Sequence, residues 1–212
     1  NEGFPNVGRG FLDPAADAVR RAGGLLVSDE VQPGFGRLGS HLWGHDRLGF
    51  APDIVTLGKS IANGYPAAAV LARAEVLGAF REAFGYFNTY GGSPVAAAAA
   101  LATLDVLERE GLQAQADRVG AYALSRLAAL DHPAIAGVRG AGLFFGVELR
   151  GEGGAAGTAF AEELVEAMRH RGVLLNRIGP RMDVLKIRPP LTFREAHVDI
   201  LVDALSSVLG ER

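Results

Sequence analysis

Residues 25–29, Leu25-Leu26-Val27-Ser28-Asp29, and residues 54–59, Ile54-Val55-Thr56-Leu57-Gly58-Lys59, decide how this chain is read. Each opens as a short continuous apolar run, the pattern of a strand buried on both faces, and soon ends in one charged side chain. A third run, AAAVLA at 67–72, follows the turn Asn63-Gly64-Tyr65-Pro66. Short apolar strands separated by helices or long crossovers predict an α/β fold, a mostly parallel sheet covered on both faces. Such sheets present ligands beyond the carboxyl ends of their strands. Asp29 and Lys59 stand at two such ends, thirty positions apart, so neighbouring strands would turn an acid and an amine into one crevice. A surface acid and a surface lysine are the plain alternative.

Lysine usage bears on that choice. Lys+Arg together number 21, yet only Lys59 and Lys186 are lysines, so arginine fills nearly every basic position. A guanidinium stays protonated and cannot form an imine, whereas a desolvated lysine loses its proton and attacks a carbonyl. The rest of the composition sets limits. With 212 residues, 49% hydrophobic and 21% charged, the chain is globular. A net charge of -3 gives no electrostatic case for nucleic acid or an anionic membrane and leaves small polar or anionic metabolites as partners. The absence of cysteine excludes disulfides, thiolate metal sites and a cysteine nucleophile, and agrees with a reducing cytoplasm. No targeting leader can be read. The longest uncharged run, Ala83 to Leu104, begins with the polar, Gly- and Pro-containing YFNTYGGSP and reads as a loop feeding an alanine-rich helix, not as a membrane span.

Outward from the deciding stretch, Asp13 and Pro14 predict an N-cap and first turn for a helix stopping at Gly23-Gly24. Ser93 and Pro94 cap another that runs to Gly111, and Leu112, Ala116, Val119, Ala123, Leu127 and Leu130 space a further helix. IAGVRG at 135–140 and LFFGVEL at 143–149 read as strands, and GEGGAAG at 151–157 as a flexible loop. A helix through Phe160, Leu164, Val165 and Met168, strands VLLN at 173–176 and VLKIRP at 184–189, and a helix through Val198, Leu201, Leu205 and Val208 complete the chain. The change of character divides it at residues 1–110 and 111–212, the second part a small α+β domain.

Three other motifs invite chemistry. Gly34-Phe35-Gly36-Arg37-Leu38-Gly39 matches G-x-G-x-x-G, but Pro33 interrupts, no amphipathic helix opens after it and no ribose-binding acid follows. His41 and His45 are four apart with Asp46 adjacent. Trp43 and Gly44 argue against a rigid helix there and no third ligand is evident, so isolated loop histidines, and no metal site, are expected. Tyr86 to Pro94 places Thr89 and several small residues before a helix, where a backbone turn can hold a phosphate or simply form a capped loop.

Taken together, SDEVQPGFGR, PDIVTLGKSIANGYP, FNTYGGSP, VRGAGLFFGVEL and VLKIRPPL resemble, in order and spacing, the class III (omega) aminotransferases of the fold-type I pyridoxal-phosphate enzymes. The resemblance covers nearly the whole chain and implies pyridoxal 5'-phosphate as cofactor. It implies that Lys59 forms the internal aldimine and then shuttles the substrate proton, and that Asp29 pairs with the pyridine nitrogen. Val31 would pack on the ring face, Gln32 sit near the phenolic oxygen, and Thr89 reach the cofactor phosphate of a partner subunit in a homodimer with a shared active site. The glycine loop would then border the cofactor. An amino donor and a keto-acid acceptor are the implied small-molecule partners. The family's substrate-carboxylate arginine stands three residues before the Pro-Pro pair; here that register holds Lys186, with Arg188 two residues on. LKIRPPL also resembles the branch that contains phospho-lyases acting on amino-alcohol phosphates. Family members carry roughly as much chain again before the position of Asn1, so the resemblance implies the C-terminal part of the large domain followed by the small C-terminal domain. A missing N-terminal segment of the same enzyme would complete the site; a catalytically incomplete scaffold subunit is the other expectation.

Overall fold

The computed structural model describes residues 2–151 and 157–211. Residues 152–156, most of the expected GEGGAAG loop, lie outside them. The fold is mixed α/β, and the chain divides into two compact units whose limits differ from a split after residue 110: residues 7–113, and residues 1–6 together with 114–212.

The 7–113 unit contains α1 (Asp13–Arg21), β1 (Val27–Asp29), α2 (Gly44–Leu48), β2 (Ile54–Leu57), a 3-10 turn (Lys59–Ala62), β3 (Ala69–Ala72), α3 (Ala74–Ala83) and α4 (Pro94–Arg109). Its sheet runs β1-β2-β3. β1 pairs with β2 in parallel, with Asp29 opposite Thr56, but β3 returns antiparallel to β2. The expected mostly parallel sheet is therefore mixed here. Residues 58–68 hold only a 3-10 turn, too short a connection for the helical crossover that a parallel neighbour requires. Asp53 fixes the start of the sheet, accepting from Leu26 N at 2.7 Å and pairing with Arg73 at 2.9 Å.

Local chemistry accounts for the helix ends. Ser93 Oγ accepts from Ala96 N at 3.4 Å, the capping bond read from the sequence. Asp13 is the first helical residue of α1, Leu12 holds the cap position, and no side chain caps it. α3 was not expected. Its apolar residues Leu77 and Phe80 remain exposed, so the burial periodicity that marks helices is weak there. No described helix is long and apolar enough to cross a membrane.

The other unit contains most of α5 (Leu112–Ala128), then β4 (Ile135–Ala141), β5 (Phe144–Leu149), α6 (Thr158–His170), β6 (Asn176–Ile178), β7 (Val184–Ile187) and α7 (Glu195–Gly210). Its antiparallel sheet has the order β4-β5-β7-β6. Ala116, Val119, Ala123 and Leu127 of α5 are fully buried with Phe145, Val147 and Leu185 of the sheet and with Val198 and Leu205 of α7. The helical spacing read from the sequence thus marks the face that meets the sheet. On the sheet's other side Phe4 is buried against Phe144, ring centroids 4.6 Å apart. β6 starts at Asn176, not Val173. The chain leaves α6 through Gly172 at φ +78°, and residues 173–175 carry it to the sheet edge before pairing begins opposite Lys186.

Candidate active site

The 7–113 unit brings Asp29, Val31 and Lys59 together. Asp29 closes β1, and Lys59 follows the end of the adjacent parallel strand β2. Both are exposed. The Asp29 carboxylate is oriented by its own turn, Oδ1 accepting from Val31 N at 3.0 Å. Lys59 has φ +47°, the left-handed region that a side-chain-bearing residue enters at a cost of about 1–3 kcal/mol. Its turn is fastened beneath it: Ile61 N donates to Gly58 O at 3.2 Å, Ile61 and Ala62 are buried, and the turn packs on α4. Strain of this kind persists only where the surroundings over-determine it, and it concentrates at functional sites. A Cβ added at Gly58 would lie 3.7 Å from both Val31 methyls, so Val31 borders the approach to Lys59. Gln32 follows, half-buried.

Behind this surface lies a residue that the sequence reading passed over. Glu30 is 1% exposed. Its carboxylate accepts from Ser28 Oγ at 3.0 Å, Gly44 N at 2.8 Å, His45 N at 2.8 Å and His45 Nδ1 at 2.7 Å. His45 is therefore not an isolated loop histidine. Glu30 takes up first-turn N–H groups of α2, which lets a short helix form at Gly44 where none was expected. An acid following Asp29 in a buried-type strand was the available signal. Its partners, fourteen and fifteen positions away, carry no local pattern.

The glycine motif has local reasons in this loop. A Cβ at Gly34 would come within 2.7 Å of Glu30 O and 3.1 Å of the Trp43 ring. Gly36, at φ +74°, would meet the Gln113 Cβ at 2.9 Å. These contacts account for Gly34 and Gly36 by local packing.

Thr89 lies in the exposed stretch between α3 and α4, where Tyr90 N donates to Asn88 Oδ1 at 3.1 Å and Gly91 N to Asn88 O at 3.1 Å. No described hydrogen bond joins it to Asp29 or Lys59. In the other unit, Lys186 on β7 and Arg188 just beyond it line one open groove of about 770 Å³ with Leu174, Asn176, Phe193 and His197. Strand alternation puts the two cations on the same side, while Ile187 between them is 5% exposed.

Comparison with known proteins identifies the family. Residues 1–209 match the model of the family described as aminotransferase class-III. The chain is 42% identical over 207 residues to the mitochondrial alanine–glyoxylate aminotransferase 2 homolog 2 of Arabidopsis thaliana, covering 96% of this chain and 43% of that protein. It is 41% identical over 206 residues to ethanolamine-phosphate phospho-lyase homolog 1 of Caenorhabditis elegans, covering 94% and 44%. A phospholyase from Arthrobacter in complex with phosphoethanolamine superposes with TM-score 0.96 at 42% identity, over 100% of this chain and 51% of that one. The chain thus spans about half the length of the relatives it matches. With a family match from residue 1 to residue 209, the chain belongs to the class-III aminotransferases.

Proposed function

We propose that this chain supplies the cofactor-bonding lysine and the ring-nitrogen acid of an aminotransferase that moves an amino group from an amino acid or omega-amine to a keto acid. Class-III aminotransferases are pyridoxal-phosphate enzymes. The carrying observation is Lys59, held at φ +47° on a fastened turn beside the Asp29 strand end. The residues fit the group: an acid and an amine at neighbouring strand ends, with the Val31 methyls beside Gly58, suit a planar pyridine that carries an aldehyde. Bound pyridoxal phosphate supplies an electron-withdrawing ring and an exchangeable imine carbon. Asp29 would hold a proton at the ring nitrogen. Lys59 Nζ would bond the cofactor and, once released, move a proton at the substrate's α-carbon. Val31 would cover one ring face and Gln32 lie near the phenolic oxygen. Arg188 would clamp a substrate carboxylate by two parallel N–H donors, with Lys186 as a point charge.

In this reading residues 7–113 belong to the cofactor-binding large domain of a fold-type I enzyme and residues 114–212 to its small C-terminal domain, with a preceding segment of the same polypeptide completing the site. The enzyme works as a cytoplasmic homodimer in which Thr89 reaches the cofactor phosphate held by the other subunit. Phe87 and Tyr90, 86% and 88% exposed on either side of Thr89, support a subunit contact there. Borohydride reduction of the full-length polypeptide, followed by peptide mapping, should leave the cofactor on Lys59. Label on another residue, or none, sinks the proposal.

The match to the Arthrobacter phospholyase along the whole chain favours a second reading, elimination from an amino-alcohol phosphate. It predicts inorganic phosphate and ammonia without any keto acid. Strict dependence on an acceptor rules it out.

A further inference from the structure

Glu30 occupies the point where three segments meet. Its N–H donates to Thr56 O of β2 at 3.0 Å, its carbonyl accepts from Gly34 N at 3.0 Å, and its carboxylate takes the four donors from Ser28, Gly44 and His45. Alternation along the extended chain separates two faces: Ser28 and Glu30 are buried and bonded to each other, while Asp29 and Val31 point the other way. The loop that leaves Val31 and returns at Gly44 is therefore tied to the backbone between Asp29 and Val31. Oε1 accepts three of the donors and Oε2 the fourth, so the carboxylate is close to its acceptor capacity. A glutamine has one acceptor oxygen, and its NH2 would confront main-chain N–H groups that have no other described partner here. The closeness of Gly44 reinforces the fit, since a Cβ there would lie 3.2 Å from Glu30 Oε2 and 3.1 Å from Pro33.

We propose that Glu30 is a positioning residue for the cofactor: its buried carboxylate ties the 31–45 loop to β1 and so fixes the Asp29–Val31 face against which pyridoxal phosphate would bind. This rests on the functional reading above. Glu30 touches no cofactor atom in this assignment and acts through its two neighbours. Its role differs from fold support because the loop that it ties carries Val31 and Gln32.

The test uses the full-length enzyme with Glu30→Gln and, as a milder change, His45→Asn. Cofactor-free protein is titrated with pyridoxal phosphate, and amide exchange is followed at Val31, Gly44 and His45. For Glu30→Gln we expect cofactor affinity to fall about ten- to hundredfold, from loss of hydrogen bonds to a charged group. Exchange should speed up at the three amides, and the visible band of the bound cofactor should shift. His45→Asn should move all three readouts the same way by less, and it decides the matter if Glu30→Gln does not fold. Wild-type affinity and spectrum in a folded variant, with only a lowered Tm, overturn the proposal. If wild-type protein binds no pyridoxal phosphate, the functional reading falls first; if it binds normally and the variants do too, only the role of Glu30 falls.

Discussion

Replacing Lys59 with arginine separates charge from nucleophilicity at one position. The guanidinium keeps the positive charge and cannot be deprotonated to attack a carbonyl or to accept a proton from carbon. We expect Lys59→Arg to fold, to give no borohydride-fixed label, and to lower kcat by about a thousandfold, within the span that acid–base groups contribute. A label at Lys186, the chain's other lysine, would reassign the role. The positions of Lys59 and Asp29 at neighbouring strand ends were legible in the sequence because each charged residue closes a short apolar run. Glu30 was not. Its hydrogen bonds come from donors that only folding brings to it, and a carboxylate just past a strand end gives no sign of where its partners lie. Roles for Lys186 and Arg188 are readable only as far as their shared groove, since alternation permits a common face without choosing between two cations.

Among the elements, helix α5 offers a contest between two measurable effects. Gly120 lies in its middle, where alanine would gain about 1 kcal/mol in helix propensity. A Cβ there would stand 2.2 Å from the carbonyl oxygen of Gly142, in the turn between β4 and β5. Backbone cannot swing aside as a side-chain tip does, and overpacking costs about 1–3 kcal/mol or more. Gly120→Ala should therefore destabilise the unit by about 2 kcal/mol in chemical denaturation; a stabilised variant would show that α5 can move off the turn. A second prediction concerns acid. The Arg118 guanidinium, bonded to Glu195 at 2.9 Å, and the first-turn N–H of α7 hold the Glu195 carboxyl below the usual glutamate range. Its contribution is present above the ordinary glutamate pKa and is lost as pH falls through the lower folded value. Glu195→Gln should lower Tm slightly near neutrality, with the difference closing in acid; a gap that widens as pH falls refutes the pairing. The sequence marked α5 and α7 because both bury a regular stripe. It missed α3, whose apolar side chains face outward, and the direction of β3, which the length of a connection sets.

At the scale of the molecule, the two units differ in how completely they bury their apolar residues. Residues 114–211 close a core in which many side chains have no exposure, whereas Val27, Val70, Leu71, Phe84 and Leu101 of the other unit stand more than half exposed. Buried apolar area is what resists opening. In the 212-residue chain studied alone, hydrogen exchange should be slowest in α5, β5, β7 and α7 and fast throughout β3 and α3, and an apolar dye should bind. Uniform protection across both units would contradict this. A sequence cannot report such unevenness by itself, because an apolar strand looks the same whether its neighbours lie in the same unit or elsewhere.

The sequence distance between Phe4 and the strand that it packs on has a consequence for synthesis. Phe4 packs on Phe144, and Arg139 Nε reaches Gly3 O at 2.7 Å across 136 positions of chain. On a ribosome adding about 5–20 residues each second, Phe4 emerges roughly 7–28 seconds before the strand that covers it. The intervening residues 7–113 can settle during that wait, while Phe4 stays without its aromatic partner until β5 arrives.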